Sequence, residues 1–537
     1  MSITLKRNYP ILLALALVIV LTPVIFHDTR IIAYTVPGSQ KASAATINYD
    51  NATSIFDDAQ VHEVTILISE EDKEKMVTTL QETGEKDYFP ADVIIDGVRI
   101  TQVGIRLKGN ASLRSVGGGF GDDHPNGNWG DWPNGGERQP PTGDGEMPRM
   151  PFGDGEMPRM PFGDGEMPAF PGGGAPFGGD GNGQDSRVSY LIKFDEYVEG
   201  QAYQGRTKLA LRSYGISYDA AQLQEPVTNA AFNSVGVTSV KTAYISLQFN
   251  SEEPSLYAVT EEPDQTYIDR IFPGSEGVLY KVQQVGNSFR YLGEDPTLYS
   301  GTFSQETAKN DADFAPLIAF MRFVTESTDE EFARDLSKWF DVDAFAAYLA
   351  ANNLVANSDS LAGMGNNYYL YYNFNTERFT ILMWDANESL GKLGMGGSAT
   401  LDLYWKTTGE KFGKLLDEED SEKETVEDQQ PEARWRGMGG RGGGPMGMGG
   451  NNLLMSRFFE VPGFVKLYEE KLQTFYQKFF VEDALTTQIE TYAALVTAYN
   501  QEHTLVDQTA YDAAVQKTLD FVTQRHEFLK ATDLLKQ

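Results

Sequence analysis

The sequence predicts an α+β chain in which a β-rich part carrying one helix precedes a large helical part. Three observations predict it. Between residues 61 and 261 short runs such as VHEVTILIS, TQVGIRLKGNAS, SYLIKFDEY and TKLALRSY alternate apolar and polar residues as strands do. From residue 310 onward apolar residues recur at three- and four-residue intervals instead. Two tracts dominated by Gly, Pro, Met and charge interrupt both parts and contain no run able to pack a core.

Composition narrows the chemistry. The chain has 537 residues, 41% of them hydrophobic, enough to bury a sizeable core. It contains no cysteine, which excludes disulfides, thiolate zinc sites and thiol nucleophiles. Its five histidines never pair at metal-ligand spacing. The formal net charge of −33 repels nucleic acid and anionic lipid, so no nucleic-acid partner is expected. The same field repels ATP, so a nucleotide site here needs its own cations. Basic substrates suit such a chain.

Residues 11–26 (ILLALALVIVLTPVIF) are almost uninterruptedly apolar, with Lys6 and Arg7 before them. That length is at the lower limit for crossing a bilayer, and the positive flank predicts that the body is exported. An uncleaved membrane anchor is favoured over a cleaved signal peptide. The small-residue stretch KASAA at 41–45 resembles a cleavage site but lies far from the apolar run. Residues 61–69 and 91–100 read as strands with a helical EEDKEKMVTTLQ between them, and 101–112 reads as a further strand ending at Gly109. GDGEMPRMPF then occurs at 143–152 and again at 153–162, with a degenerate third copy at 163–172. This tract reads as a disordered insertion between two strands. After strands at 187–197 and 207–214, residues 219–237 have helical spacing, with Pro226 tolerable only in the first turn. KTAYISLQFN and SLYAVTEE are strands and PDQTYIDRIF is a helix. Residues 310–357 and 453–537 are helical, the latter as three helices.

The most informative stretch runs from Asn352 to Gly391. A helical run ends at a lone acidic residue, Asp359, and a Gly-containing loop leads to Asn366 and Asn367. YYLYYN and RFTILMW then form two strands joined by turn residues, and the second runs straight into Asp385. Protein kinases build their phosphoryl-transfer centre from parts in this order: catalytic Asp, metal-binding Asn, hairpin, metal-binding Asp.

NNYYLYYN followed by FTILMWDANESLG resembles the signature of the spore coat protein H (CotH) family of atypical secretory protein kinases. RLKGNAS (106–112), SYLIKFDEYVEGQ (189–201), KLALRSYGISYD (208–219), SVGV (234–237) and LYAVTEEPDQTYIDRIF (256–272) resemble it as well. The resemblance implies a bilobal protein-kinase-like fold with a β-rich small lobe and a helical large lobe. It also implies ATP and Mg²⁺ as ligands, and transfer of the γ-phosphate to Ser/Thr of surface or spore-coat-type proteins. Asp359 takes the acceptor-orienting position, and Asp385 and Asn367 take the metal-binding ones. The ordinary kinase asparagine lies five residues after the catalytic Asp, where this chain has Met364, so Asn366 or Asn367 must reach back. Lys208 stands seventeen residues before Glu225, close to the kinase strand-lysine to helix-glutamate separation, and is expected to hold the phosphates. Lys193 competes with it, and Arg106 and Lys108 are further phosphate candidates. Glu261, in the stretch corresponding to the lobe connection, is a candidate nucleotide contact.

On this reading the chain divides into an N-terminal anchor or signal segment with linker (1–45), a first β-rich part (46–115), the repeat insertion (116–185) and the rest of the small lobe (186–305). A helical part with the Asp359 loop (306–400), an acidic and Gly/Met-rich region (401–452) and the C-terminal helices (453–537) follow. Two alternatives stay open: another nucleotide-dependent modification such as AMP transfer, and a non-catalytic surface scaffold. Expected locations are the cell membrane with an extracellular body, or the spore coat or medium.

Overall fold

The computed structural model describes residues 47–109, 188–213, 221–283, 286, 288–308, 313–391, 399–405 and 452–536. The repeat insertion, the acidic and Gly/Met-rich region from 406 to 451 and the apolar run 11–26 lie outside them. Among the described residues no helix is long and apolar enough to cross a membrane.

The first part is not an open sheet but a closed seven-stranded barrel. In chain order its first elements are β1 (Ile47–Tyr49), β2 (His62–Leu67), α1 (Glu70–Thr83), β3 (Phe89–Ile95), β4 (Val98–Lys108) and β5 (Ser189–Lys193). There follow β6 (Gln201–Tyr203), β7 (Lys208–Arg212), α2 (Gln224–Ser234), β8 (Thr242–Phe249) and β9 (Ser255–Thr260). The barrel runs β2-β3-β4-β5-β7-β9-β8 and closes where β8 pairs in parallel with β2. Closure removes the edges that an open sheet would expose. Alternation fills it: Ile105 and Leu107 point into the barrel core, and Arg106 and Lys108 point out. Residues 91–100 are not one strand as expected. Asp96 (φ 46°) and Gly97 (φ 82°) form a tight turn that splits them between β3 and β4. Asp-Gly is the sequence signal for such a turn.

A second sheet, in the order β11-β10-β12-β13, lies beyond α3 (Gln265–Ile271). Its strands are β10 (Gly277–Val282), β11 (Phe303–Gln305), β12 (Tyr368–Asn373) and β13 (Arg378–Met383). One face, with Tyr280, Tyr368, Leu370 and Met383, packs into the large helical core. The other presents Leu279, Tyr369, Leu382 and Trp384 towards α3 and the barrel. That core is built by α4 (Ala315–Glu326), α5 (Asp329–Trp339), α6 (Val342–Leu354), α7 (Leu453–Phe459), α8 (Pro462–Tyr476), α9 (Ala484–His503) and α10 (Gln508–Lys530). The C-terminal stretch thus holds four α-helices rather than the expected three, the short α7 ending just before Pro462 opens α8.

One buried cation ties the helical part together. The Arg525 guanidinium, on α10, is 0% exposed and donates to the Asn353 and Leu354 carbonyls at the end of α6, and to Ala399 and Leu401. The last carbonyls of a helix have no amide four residues ahead to accept from, and a cation there also suits the dipole. Burial lowers the Arg525 pKa to about 10, so it stays charged.

The two ends of the insertion are paired neighbours, since Lys108 on β4 faces Ser189 on β5. Replacing 117–184 by a short Gly/Ser linker should therefore keep the barrel. The loop-closure difference is on the order of 1–2 kcal/mol. The check is a melting curve, in which a drop of about ten degrees or more would show that the tract packs.

Candidate functional site

Strand register brings three charged side chains to the mouth of the barrel. Lys108 pairs with Ser189, and the β5–β7 register then sets Ser189 beside Arg212. Period-two alternation puts Lys108 and Arg212 on the outer face of these strands. Glu262, two residues beyond β9, meets Lys108 at 2.7 Å. Burial would raise the Glu262 pKa, but the charges of Lys108, Lys281 and Arg212 outweigh it and lower it. Lys108 is buried too, and desolvation lowers its pKa against the pull of Glu262.

Arg212 is the centre of the arrangement. Its Nε lies 2.9 Å from Glu225 Oε2 on α2, and its terminal nitrogen meets the Asp385 carboxylate. Glu225 is fully buried. Burial works against charge on Arg212, but Asp385, Glu225 and Glu262 together overcome it and raise its pKa. The sequence expectation of a Lys208–Glu225 pair is therefore corrected. Lys208 opens β7 and Arg212 ends it, four residues or roughly 13 Å farther along the strand. Lys208 faces Lys193 across the sheet and Lys193 pairs with Glu196 at 2.7 Å, so neither lysine takes the place beside Glu225. The residue count to Glu225 favours Lys208. Period two, however, places Lys208, Ala210 and Arg212 on one face, and that signal points equally to Arg212.

Glu261 is corrected likewise. Its carboxylate is buried among Arg270, Arg206 at 3.4 Å and the Lys241 backbone N–H, so it anchors α3 to the barrel. Its neighbour Glu262 is the one that faces the site. Arg106 sits over the Tyr88 ring at 5.1 Å, two residues before Lys108 on the same face of β4.

The second carboxylate region is built by the β12–β13 hairpin and the loop after α6. Tyr368 pairs with Met383, so continuing the register brings Asn366 and Asn367 to the end of the hairpin from which Asp385 emerges. Asn367 (φ 54°) and Asp385 (φ 58°) both adopt left-handed backbone, which costs an aspartate about 1 kcal/mol or more. The Asp359 carboxylate accepts from both amides: Asn366 at 2.7 Å on one oxygen and Asn367 at 2.8 Å on the other. Both asparagines do reach back.

Buried asparagines hold the loop. Asn357 donates to Asn352 at 2.8 Å and accepts from the Asp359 N–H at 3.3 Å, while the Tyr348 hydroxyl accepts from Leu361 N–H. Gly363 is required here because a Cβ would sit 1.9 Å from the Ser358 carbonyl oxygen. The segment after Asp385 is tied both ways. Ser389 and Thr228 of α2 share a 2.6 Å hydrogen bond, and Leu390 N–H donates to the Val355 carbonyl beyond α6.

Oxygen donors at this end suit a hard cation. Asn366 Oδ1 and Asn387 Oδ1 are buried without a hydrogen-bond partner, close in sequence to Asp359 and Asp385. Among the described residues no three His, Cys, Asp or Glu cluster as a metal site. One or two carboxylates with amide oxygens, completed by phosphate and water, is the donor set Mg²⁺ takes. The residues fit that ion.

The family model described as CotH kinase protein matches residues 176–529. The inner spore coat protein H of Bacillus subtilis (strain 168) is 22% identical over 212 residues, which are 38% of this chain. The match covers 55% of that relative, so the chain spans about half its length.

Arg212→Met should destabilise the protein by about 3–5 kcal/mol, because the fully buried Glu225 loses its guanidinium. Arg212→Lys should recover only part of this, since one ammonium cannot face both carboxylates in the same fork. Lys208→Met should stay within about 0.5 kcal/mol of the parent. Urea denaturation of the three variants checks the order.

Proposed function

The chain belongs to the CotH kinase protein family, and from that premise we propose that it is an ATP-dependent protein kinase acting on Ser/Thr hydroxyls. On this reading the barrel serves as the small lobe and the helical part as the large one. The observation that carries it is the pair of carboxylates at one hairpin end, Asp359 bracketed by two amides and Asp385 clamped by Arg212. Phosphoryl transfer asks the protein for positioning and charge more than for covalent chemistry.

In the proposed step the acceptor hydroxyl oxygen bonds to the γ-phosphorus as the bond to the β,γ-bridging oxygen breaks. ADP leaves with that electron pair, and the hydroxyl proton passes to the Asp359 carboxylate. A carboxylate oxygen accepts more than one hydrogen bond, so the amides of Asn366 and Asn367 orient Asp359 while a hydroxyl approaches it. Asp385, with Asn367 and the buried amide oxygens of Asn366 and Asn387, would hold Mg²⁺, which neutralises phosphate charge when bound. Arg212, pinned by Glu225, would orient the phosphates. The relative's name places that protein in the inner spore coat. A spore-coat or cell-surface substrate is the corresponding proposal here, with export carried by the apolar run 11–26.

Incubating the protein with Mg²⁺ and ATP labelled at the γ- or the α-phosphate tests the reading. Label should reach protein from the γ position; transfer from the α position would instead mean AMP transfer. Asp359→Asn should leave Mg·ATP affinity largely intact while transfer falls by about two orders of magnitude or more. If affinity falls in parallel, Asp359 is holding metal or structure. Asp385→Ala should remove the Mg²⁺-dependent gain in nucleotide affinity in a protein that still folds. Titration calorimetry with and without Mg²⁺ reads this directly.

A further inference from the structure

Lys281 lies on β10, next to Tyr369 of β12, on the sheet face that looks towards the barrel. Its ammonium sits 5.8 Å from the Tyr369 ring and 5.8 Å from the Trp384 ring. Lys108 and Arg212 approach the same Trp384 ring from the barrel side, each at 5.4 Å. Three cations, two from the barrel and one from the second sheet, thus surround one buried indole. Trp384 directly precedes Asp385, so this ring and the candidate metal ligand are adjacent.

The carboxylates are unevenly shared among the three cations. Lys108 has Glu262, and Arg212 has Glu225 and Asp385. Among the described residues Lys281 has no carboxylate within ion-pair distance; its close contacts are the two aromatic faces. A cation–π contact is weaker than an ion pair and does not cancel repulsion from neighbouring cations. Lys86 lies within the same field. Burial, then the charges of Arg106, Lys108 and Lys281, push its pKa down to about 8. In a chain of net charge −33, Lys86, Arg106, Lys108, Arg212 and Lys281 gather where the barrel and the second sheet meet, and Lys281 is the one of the three around Trp384 that pairs with no carboxylate.

We propose that Lys281 and Lys108 form a lobe-bridging anion subsite that binds the polyphosphate of a nucleotide without needing a metal ion. The inference rests on the nucleotide reading above and assigns part of the phosphate binding to the second sheet. A polyphosphate relieves the repulsion among the cations, so its interaction energy is gained only in the bound state. The ammonium of Lys281 reaches it from one side of Trp384 and the barrel cations from the other. Nucleotide binding therefore joins the two parts directly through charge.

The test is calorimetric titration of the full chain with ADP in EDTA, with pyrophosphate and adenosine as separate arms. ADP and pyrophosphate should both bind, and adenosine should not. Affinity should fall as salt rises from about 50 to about 500 mM, because the attraction is between charges. Lys281→Met should weaken ADP about tenfold or more, Lys281→Arg should restore most of it, and Lys208→Met should change nothing. If the parent protein binds Mg·ATP but not ADP in EDTA, the subsite is wrong while the kinase reading stands. An undiminished affinity in Lys281→Met overturns the subsite in the same way. Should that variant fold poorly, the salt titration of the parent decides, and an affinity indifferent to salt overturns the subsite. A parent protein that binds no nucleotide under either condition overturns the subsite and the kinase reading together.

Discussion

The guanidinium of Arg212 is the contact on which the arrangement around the site depends. It sits at the end of a barrel strand, faces a fully buried glutamate on α2, and meets the aspartate that leaves the β12–β13 hairpin. Two consecutive elements and a hairpin about 150 residues further on are thereby held to one point. A buried ion pair is a weak source of net stability, since desolvation offsets most of the attraction. Its consequence is geometric. A planar fork with two carboxylates in place admits one orientation of α2 and one of the hairpin. The Thr228–Ser389 hydrogen bond repeats the same linkage in uncharged form.

Around that contact the chain manages charge against its own overall sign. Seventy-seven acidic residues against forty-four basic ones would hold a nucleotide off. Screening confines such effects at an exposed surface to roughly 8–10 Å, so the local environment decides. At the barrel mouth that environment concentrates cations, with Glu262 buried among Lys108, Lys281 and Arg212 and with Glu225 and Asp385 on Arg212. Low dielectric strengthens each of these interactions and makes an unbalanced one costly. Burial first, and then the charges of Arg106, Lys108 and Lys281, make the Lys86 ammonium give up its proton more readily than an exposed lysine does.

The Asp359 loop is held by a different device. Amides donate to both oxygens of its carboxylate. Behind them a series of buried amides and a tyrosine hydroxyl runs back into α6, and Arg525 pins the end of that helix from α10. Such a network is rigid only when its members are satisfied. The C-terminal helices are accordingly part of the support for the site.

How much of this is legible in the chain alone follows from the range of each interaction. The helices, the strand runs, the two packing-incompetent tracts and the order Asp359, Asn366–Asn367, hairpin, Asp385 are local patterns, written in periodicity and in turn residues. The Asp96–Gly97 turn is equally local, yet the apolar alternation on either side of it masks the break. Closure of the barrel is not local: nothing in β2 or β8 specifies that they pair in parallel across the intervening strands. The choice between Lys208 and Arg212 is not local either, because both occupy the same face of β7 and only the position of α2 selects one. Glu261 and Glu262 are sequence neighbours whose side chains part to opposite partners, α3 on one side and Lys108 on the other. Lys281 carries no local mark at all. The sequence by itself determined most of the helices and the longer strand runs and which loop carries the two aspartates, while short strands such as β10 and β11 carry too little alternation to be read. Tertiary structure decided which cations face those carboxylates, because a charge finds its partner through space and the register of distant strands sets that distance.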